Sequence, residues 1–247
     1  MTLGVRVVLL SVVGVGCGDN APVCPADRAP PPWTTRVGWD CRIARGLASR
    51  DASGLVVSQE EVDAHLAIYQ RGFEPIASVL RRPPSLNLSW PSVTIETVVA
   101  SIAEPWSRGR VHTGVAAIDS ITEAAHIDTI TRAPLSNQFD LASSRYTVVN
   151  RNVAAAIVAA RVSGVTVYAE EFGTREPFEE VTLEAPPTAS VIPVRFQIGW
   201  GDCFVDCAGQ HFWRVEVTPS TVDLVAEWGD SIPPDVLEQY RQSGPSD

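Results

Sequence analysis

The chain has 247 residues, of which 45% are hydrophobic, enough to build one sizeable core or two small ones. It carries 29 acidic against 19 basic residues, and its formal net charge of −10 at pH 7 argues against nucleic acids and anionic lipid surfaces as partners. Beyond the N-terminus no apolar run reaches the ~20 residues that a membrane-spanning helix needs.

The first 16 residues predict an export signal. Arg6 is their only charged residue, and the apolar run 7–15 that follows is too short to cross a bilayer. Small residues stand directly before Cys17, as they do in bacterial lipoprotein signals, where the peptidase cuts ahead of a lipid-modified cysteine. We therefore expect a palmitate-bearing lipid anchor on Cys17 and an exported protein tethered to the membrane of the cell envelope. The alternative is an ordinary signal peptide cut nearby, with Cys17 a plain thiol.

The cysteine count agrees with this prediction. The chain has five cysteines, at positions 17, 24, 41, 203 and 207. If Cys17 carries lipid, four remain, and an oxidising compartment favours two disulfides. Three pairings are possible. The pairing Cys24–Cys41 with Cys203–Cys207 is favoured because it closes two short loops.

The N-terminal half is predicted to begin with a tether and disulfide loop, 17–57, followed by a helical subregion, 58–110. Ser58 and Glu61 form a capping box that opens a helix, which Gly72 ends. A second helix starts at Pro75, and a third, stopped before Pro105, is predicted from four apolar residues at helical spacing. These are Ile95, Val98, Val99 and Ile102.

Residues 111–172 predict an α+β module. Two amphipathic helices are expected, at 114–125 and 151–162, the second capped by Asn150 and ended by Gly164. The inward stripe of the second helix is predicted to be Val153, Ile157 and Ala160. Strands are predicted at 127–130, in a run ending at 149, and at 165–169.

The C-terminal part reads as an acidic loop, 173–190, an antiparallel β block, 191–232, and a tail, 233–247. Alternating apolar residues predict three strands in the block, the first with Phe196 and Trp200 on one face, the second with Trp213, and the third with Val222, Leu224, Ala226 and Trp228. Trp200 and Trp213 are expected to point inward and to cover the open face of the preceding sheet. A short helix is expected after Pro233 and Pro234.

One cluster in the β block could carry chemistry. Cys203, Cys207 and His211 would lie on one face if the segment were helical, and could then hold a metal or support an enzyme. The flanking residues are strongly β, however, and the compartment oxidises thiols, so a disulfide that staples a loop is favoured. The chain shows no nucleophile, phosphate-loop or zinc-protease motif. We therefore expect no catalytic residue, no cofactor and no metal.

Two stretches resemble a known module: Thr113-Gly114-Val-Ala-Ala-Ile118-Asp119 and Gly164-Val165-Thr-Val-Tyr168-Ala-Glu170. They are similar to the start and end of the propeptide module of subtilisin-like proteases. That resemblance implies a ferredoxin-like sandwich at 111–172 whose open sheet face binds a protease. It also implies a protein-binding site at Tyr168, Glu170, Glu171 and Phe172, although proline and asparagine are expected where Glu171 and Phe172 stand. The whole chain also resembles secreted bacterial lipoproteins of unknown function.

Together these patterns predict an α+β protein with three parts. A helical N-terminal part precedes a ferredoxin-like, propeptide-like sandwich, and a C-terminal antiparallel hairpin block joins the sheet of that sandwich. The expected function is a membrane-tethered, non-catalytic lipoprotein that binds a protein partner. The alternatives are a metal-binding protein or enzyme built on Cys203, Cys207 and His211, and an envelope structural protein.

Overall fold

The computed structural model describes residues 24–26, 29, 35–84, 92–133, 136–168, 179–201, 203 and 207–242, with the backbone alone at 92 and 168. The helices are α1 (Arg36–Asp51), α2 (Gln59–Phe73), α3 (Ala100–Ser107), α4 (Ala116–Ala124), α5 (Arg151–Arg161) and α6 (Pro234–Gln242), with a 3-10 turn at Glu74–Ile76. The strands are β1 (Ser92–Thr97), β2 (Thr129–Arg132), β3 (Gln138–Ala142), β4 (Val165–Tyr168), β5 (Glu179–Leu183), β6 (Ile192–Trp200), β7 (Gly209–Val217) and β8 (Val222–Gly229). The predicted α+β class is confirmed. The export signal, Cys17 and the segment 170–172 lie outside the described residues.

Residues 92–168 form a ferredoxin-like sandwich. Helices and strands follow in a β-α-β-β-α-β order, in which α3 and α4 together occupy the place of the first helix. The four strands are antiparallel in the order β2-β3-β1-β4. The helices cover one face of this sheet, where Ile95, Phe139 and Val167 are buried against Ile118 and Val158. The predicted sandwich is therefore present, although its first strand lies outside the range expected for it.

That first strand replaces a predicted helix. Val93 and Ile95 are fully buried on β1, whereas the residue after each of them, Thr94 and Glu96, is only partly covered. The spacing of Ile95, Val98 and Ile102 suits a helix, but Ile95 pairs with the sheet and only Ile102 lies on α3. Helix α3 also runs through Pro105 instead of stopping before it. The helix ends two residues after the proline, at Ser107.

One further strand in this lobe lies at a different position from the predicted one. The strand expected to end at residue 149 is β3, which ends at Ala142, and Val149 contributes a single bridge to Val56. Asn150 does cap α5, since its side-chain oxygen accepts from the amide of Val153 at 3.0 Å.

The buried stripe of α5 is Ala154 and Val158, not Val153, Ile157 and Ala160. The start of α5 is fixed by its contacts with the end of α1. The side chain of Asn152 donates to the carbonyl oxygen of Arg50 at 3.0 Å, and that of Asn150 donates to the carbonyl of Ala52. These contacts hold the helix in the rotation in which Ala154 and Val158 face the sheet.

The C-terminal strands form a sheet of their own and do not join the first one. Its antiparallel order is β5-β6-β7-β8, and β5 lies inside the segment predicted as an acidic loop. One face packs on α1, α2 and α6, around Phe73, Phe196 and Trp213. Gly72 allows this close approach, because a Cβ there would lie 3.3 Å from a methyl carbon of Val194. The segment predicted as a tether contains α1, which carries Cys41 and buries nine of its 16 residues.

A buried polar cluster fastens β5 and α6 to this lobe. The guanidinium of Arg82 donates two hydrogen bonds to the carboxylate of Glu179, at 2.9 and 2.7 Å, and the hydroxyl of Tyr240 donates to the same carboxylate at 2.8 Å. Burial by itself disfavours the Arg82 cation, but the hydrogen bonds and charge of Glu179 outweigh it and raise the pKa of Arg82. Burial, together with the charge of Glu179, raises the pKa of Tyr240. The cluster is therefore an ion pair closed by a neutral phenol.

Both predicted disulfides form. Cys24–Cys41 is fully buried in a small third core with Ala44, Val62 and Val148, which lies where α1 and α2 meet the sandwich. Cys203–Cys207 closes the connection between β6 and β7. Within the described ranges no helix is long and apolar enough to cross a membrane.

Candidate protein-binding surface

The disulfide turn between β6 and β7 holds the residues that could have formed a metal site. Cys203 and Cys207 are joined to each other, so neither presents a thiolate. His211 lies at the start of β7, with Nδ1 2.8 Å from the carbonyl oxygen of Asp230 and Nε2 3.0 Å from Oε1 of Glu227. Both ring nitrogens are thus engaged within the protein. The three side chains do not form a ligand set in this arrangement, and the described part of the chain contains no group of three potential metal ligands.

His211 instead organises the end of the β7–β8 hairpin. Its ring packs on Trp213 with a centroid separation of 4.5 Å, and its contacts hold Glu227 and the chain after β8. Gly229 makes this approach possible. Its φ is +110°, and a Cβ at this position would lie 2.3 Å from the carbonyl oxygen of Gln210.

The open face of the first sheet is polar in its described part. Its side chains come from alternate positions of the four strands: Thr94, Glu96, Thr129, Thr131, Gln138, Asp140, Ala142 and Thr166. The hydroxyl of Thr94 donates to Asp140 at 2.7 Å. Strands β5–β8 belong to the other sheet and pack on α1 and α2, so Trp200 and Trp213 do not cover this face as expected.

The predicted binding residues fall on or beyond the edge of this face. The backbone of Tyr168 pairs with Thr94 at the end of β4, while Glu170, Glu171 and Phe172 lie outside the described residues. Along β4, Val167 is buried and Thr166 is exposed, as the alternation predicts. The apolar contact area expected here is not supplied by the described side chains, which are almost all polar.

Exposed apolar side chains gather instead on β8. Leu224, Val225 and Trp228 are 42%, 45% and 43% exposed, and they make up half of the large exposed hydrophobic residues in the described ranges. We call these three residues the β8 apolar patch. Trp228 stacks on Phe212 of β7, with ring centroids 5.2 Å apart and planes inclined by 8°. The pair presents a flat aromatic surface on the side of the sheet that faces away from the helices.

A bulge explains why sequence alternation misplaced these residues. Leu224 is opposite Val215 and Ala226 is opposite Arg214, which leaves Val225 without an opposite residue. Because of this extra residue, side chains at even spacing on the two sides of the bulge lie on opposite faces of the sheet. Leu224 shares the helix-covered face with Val215, whereas Trp228 shares the outer face with Phe212. Leu224 stays exposed because, apart from β7, only the 3-10 turn at Glu74–Ile76 makes more than marginal contact with β8.

The surroundings of the β8 apolar patch are acidic. Between Arg214 and Arg241 the sequence contains six acidic residues and no basic one. Arg214, opposite Ala226 on the outer face, has its Nε 3.0 Å from a carboxylate oxygen of Glu184, and Arg71 of α2 donates to the carbonyl oxygen of Thr221 at 3.2 Å, directly before β8. The patch therefore combines exposed apolar area with an excess of acidic residues along its own strand.

Comparison of the chain with protein-family models, with curated proteins and with solved structures gives no match. Its function is accordingly argued from its own residues.

Proposed function

We propose that this chain is an exported, lipid-anchored protein without catalytic activity that binds another protein through the β8 apolar patch. The observation that carries this proposal is the concentration of exposed apolar side chains on β8, an edge strand whose outer side pairs with no described strand, beside a stacked aromatic pair. Exposed apolar side chains that gather on one edge strand are typical of protein-binding surfaces, and tryptophan is enriched among the residues that dominate binding energy.

Two features support export. Disulfides form and persist chiefly in oxidising compartments, and the N-terminal 16 residues resemble a lipoprotein signal. Replacement Cys17→Ser should move the protein from the membrane fraction to the soluble fraction of the native cell. Labelled palmitate should appear on the original chain only. Equal fatty-acid labelling of the Cys17→Ser variant would refute anchoring at this residue.

Binding is tested by site-specific photocrosslinking in intact cells. A photoreactive amino acid at position 228 should give a discrete crosslinked protein band. The matched control is the same amino acid at position 131, which is exposed on the open face of the first sheet. Crosslinking at 131 and not at 228 would instead support binding through the propeptide-like face, as the protease resemblance implies. A discrete band at neither position would favour the envelope structural role and would refute the proposal.

A further inference from the structure

The edge strands of the two sheets differ in length and in how far other elements cover them. Three of the four edge strands, β2, β4 and β5, have four or five residues, whereas β8 has eight. Short edge strands offer few backbone groups to an added strand. The edge of β5 is also blocked by α1, since Arg50 donates to the carbonyl oxygen of Val181 at 3.3 Å. Strand β8 is the long edge, and no described strand pairs with its outer side.

The bulge divides this edge into two segments. It lies opposite Arg214 and Val215 and separates Val222–Leu224 from Ala226–Gly229. A bulge locally disrupts the ladder and increases the twist, which hinders long, flat pairing between edges. The segment Ala226–Gly229 pairs with β7 in unbroken register and carries Trp228. A short extended peptide can therefore add to this segment.

The charged residues along β8 determine which kind of peptide can bind to this edge. Asp223, Glu227 and Asp230 lie on β8 or directly after it, and the side chain of Glu227 is 52% exposed while His211 fixes one of its oxygens. A second copy of this chain would bring two acidic edges together, at a net charge of −10 each, and like charges across strands are destabilising. An arginine or lysine side chain would instead meet carboxylates, and a guanidinium can also stack on the exposed face of Trp228.

We propose that β8 binds an extended, cationic segment of a partner protein by strand addition at Ala226–Gly229. Glu227 and Trp228 lie on opposite faces of the sheet, so arginine or lysine residues at neighbouring positions of that segment meet the carboxylate on one face and the indole on the other, and its backbone completes the sheet. This inference rests on the proposed function, which it deepens by naming the chemistry of the partner segment.

The test selects random linear peptides on the purified full-length protein. Enriched peptides should combine arginine or lysine with β-branched or aromatic residues, and Trp228→Ala should weaken their binding about ten-fold or more. The charge variant Asp223→Asn with Glu227→Gln should lower the affinity and flatten its salt dependence. Matched controls are Val98→Ala and Glu104→Gln, which change exposed apolar and acidic residues of the other lobe and should leave binding unchanged.

N-methylation of the best peptide separates strand addition from simple adhesion. Only every second amide of an added strand faces its neighbour, so methyl groups on one alternate set should abolish binding while the other set leaves it intact. Equal tolerance of both sets would overturn strand addition. Enrichment of acidic peptides, or of none, would overturn the cationic partner. A positive photocrosslink at position 228 together with either negative result would preserve the proposed function and reject this inference alone.

Discussion

The buried cluster of Arg82, Glu179 and Tyr240 gives the sharpest prediction of stability. The side chains of Arg82 and Glu179 are 10% and 4% exposed, and two hydrogen bonds join them. Arg82→Met keeps a similar apolar stem but leaves the buried carboxylate without its cationic partner. Loss of one member of a buried pair typically costs about 3–5 kcal/mol, because desolvation of the remaining charge is no longer offset. We expect the free energy of unfolding, measured with urea, to fall by about this amount.

The exposed pair Arg108–Glu104 provides the matched control. Both side chains are 62% exposed and lie on one turn of helix, so Arg108→Met should cost less than about 1 kcal/mol. Adding Glu179→Gln to Arg82→Met should restore part of the lost stability, since a neutral amide is cheaper to bury than an unpaired carboxylate. If Arg82→Met costs no more than Arg108→Met, the cluster is not desolvated in solution and the reasoning is refuted.

Three further predictions concern protonation, disulfides and a strained turn. Burial raises the pKa of Tyr69 and of Tyr240, so both phenols keep their protons in the folded protein above pH ~10, where the tyrosines of the unfolded chain ionise. The contribution of these two phenols to the free energy of unfolding is therefore complete below that pH and is lost as the pH rises further. Ultraviolet absorbance should then show at most two of the four tyrosines ionised before alkaline unfolding, and ionisation of all four in the folded protein would contradict this prediction. Replacing Cys24 and Cys41 with serines should lower the free energy of unfolding by about 3 kcal/mol, and replacing Cys203 and Cys207 by about 2 kcal/mol, because the longer loop restricts the unfolded chain more. Calorimetry that found the reverse order would contradict this prediction. Gly229→Ala should lower the melting temperature, since it forces a Cβ to 2.3 Å from a backbone oxygen, and an unchanged melting temperature would show that the hairpin end relaxes.

Much of the local structure follows directly from the sequence. The capping box of Ser58 and Glu61, the Asn150 cap and the left-handed exit at Gly164 are all present, because each depends on contacts within a few residues. The alternation along β6 and β7 also predicts the burial of Phe196 and Trp213, since side chains on a strand alternate between its two faces. The disulfide pairing that the short loops favoured, out of three possible ones, is also confirmed.

Features that depend on distant residues could not be predicted in this way. The apolar residues around Ile95 fit a helix as well as a strand, and only pairing with β3 and β4 fixes them as β1. The bulge that exposes Trp228 arises from the register between β7 and β8, so the regular alternation of β8 predicts the wrong face. Arg82 and Glu179 are 97 residues apart, and nothing in either local sequence predicts their contact.

The sequence by itself therefore determined the α+β class, the capped helices, the alternating strands and the disulfides, because local hydrogen bonds and periodic burial encode them. Only the tertiary structure decided that the C-terminal strands form a second sheet and that β8 is an edge strand with no described strand on its outer side. Both features depend on which strands pair with each other and on how much of each sheet the helices cover. These are contacts between residues far apart in the sequence, and they exist only once the chain has folded.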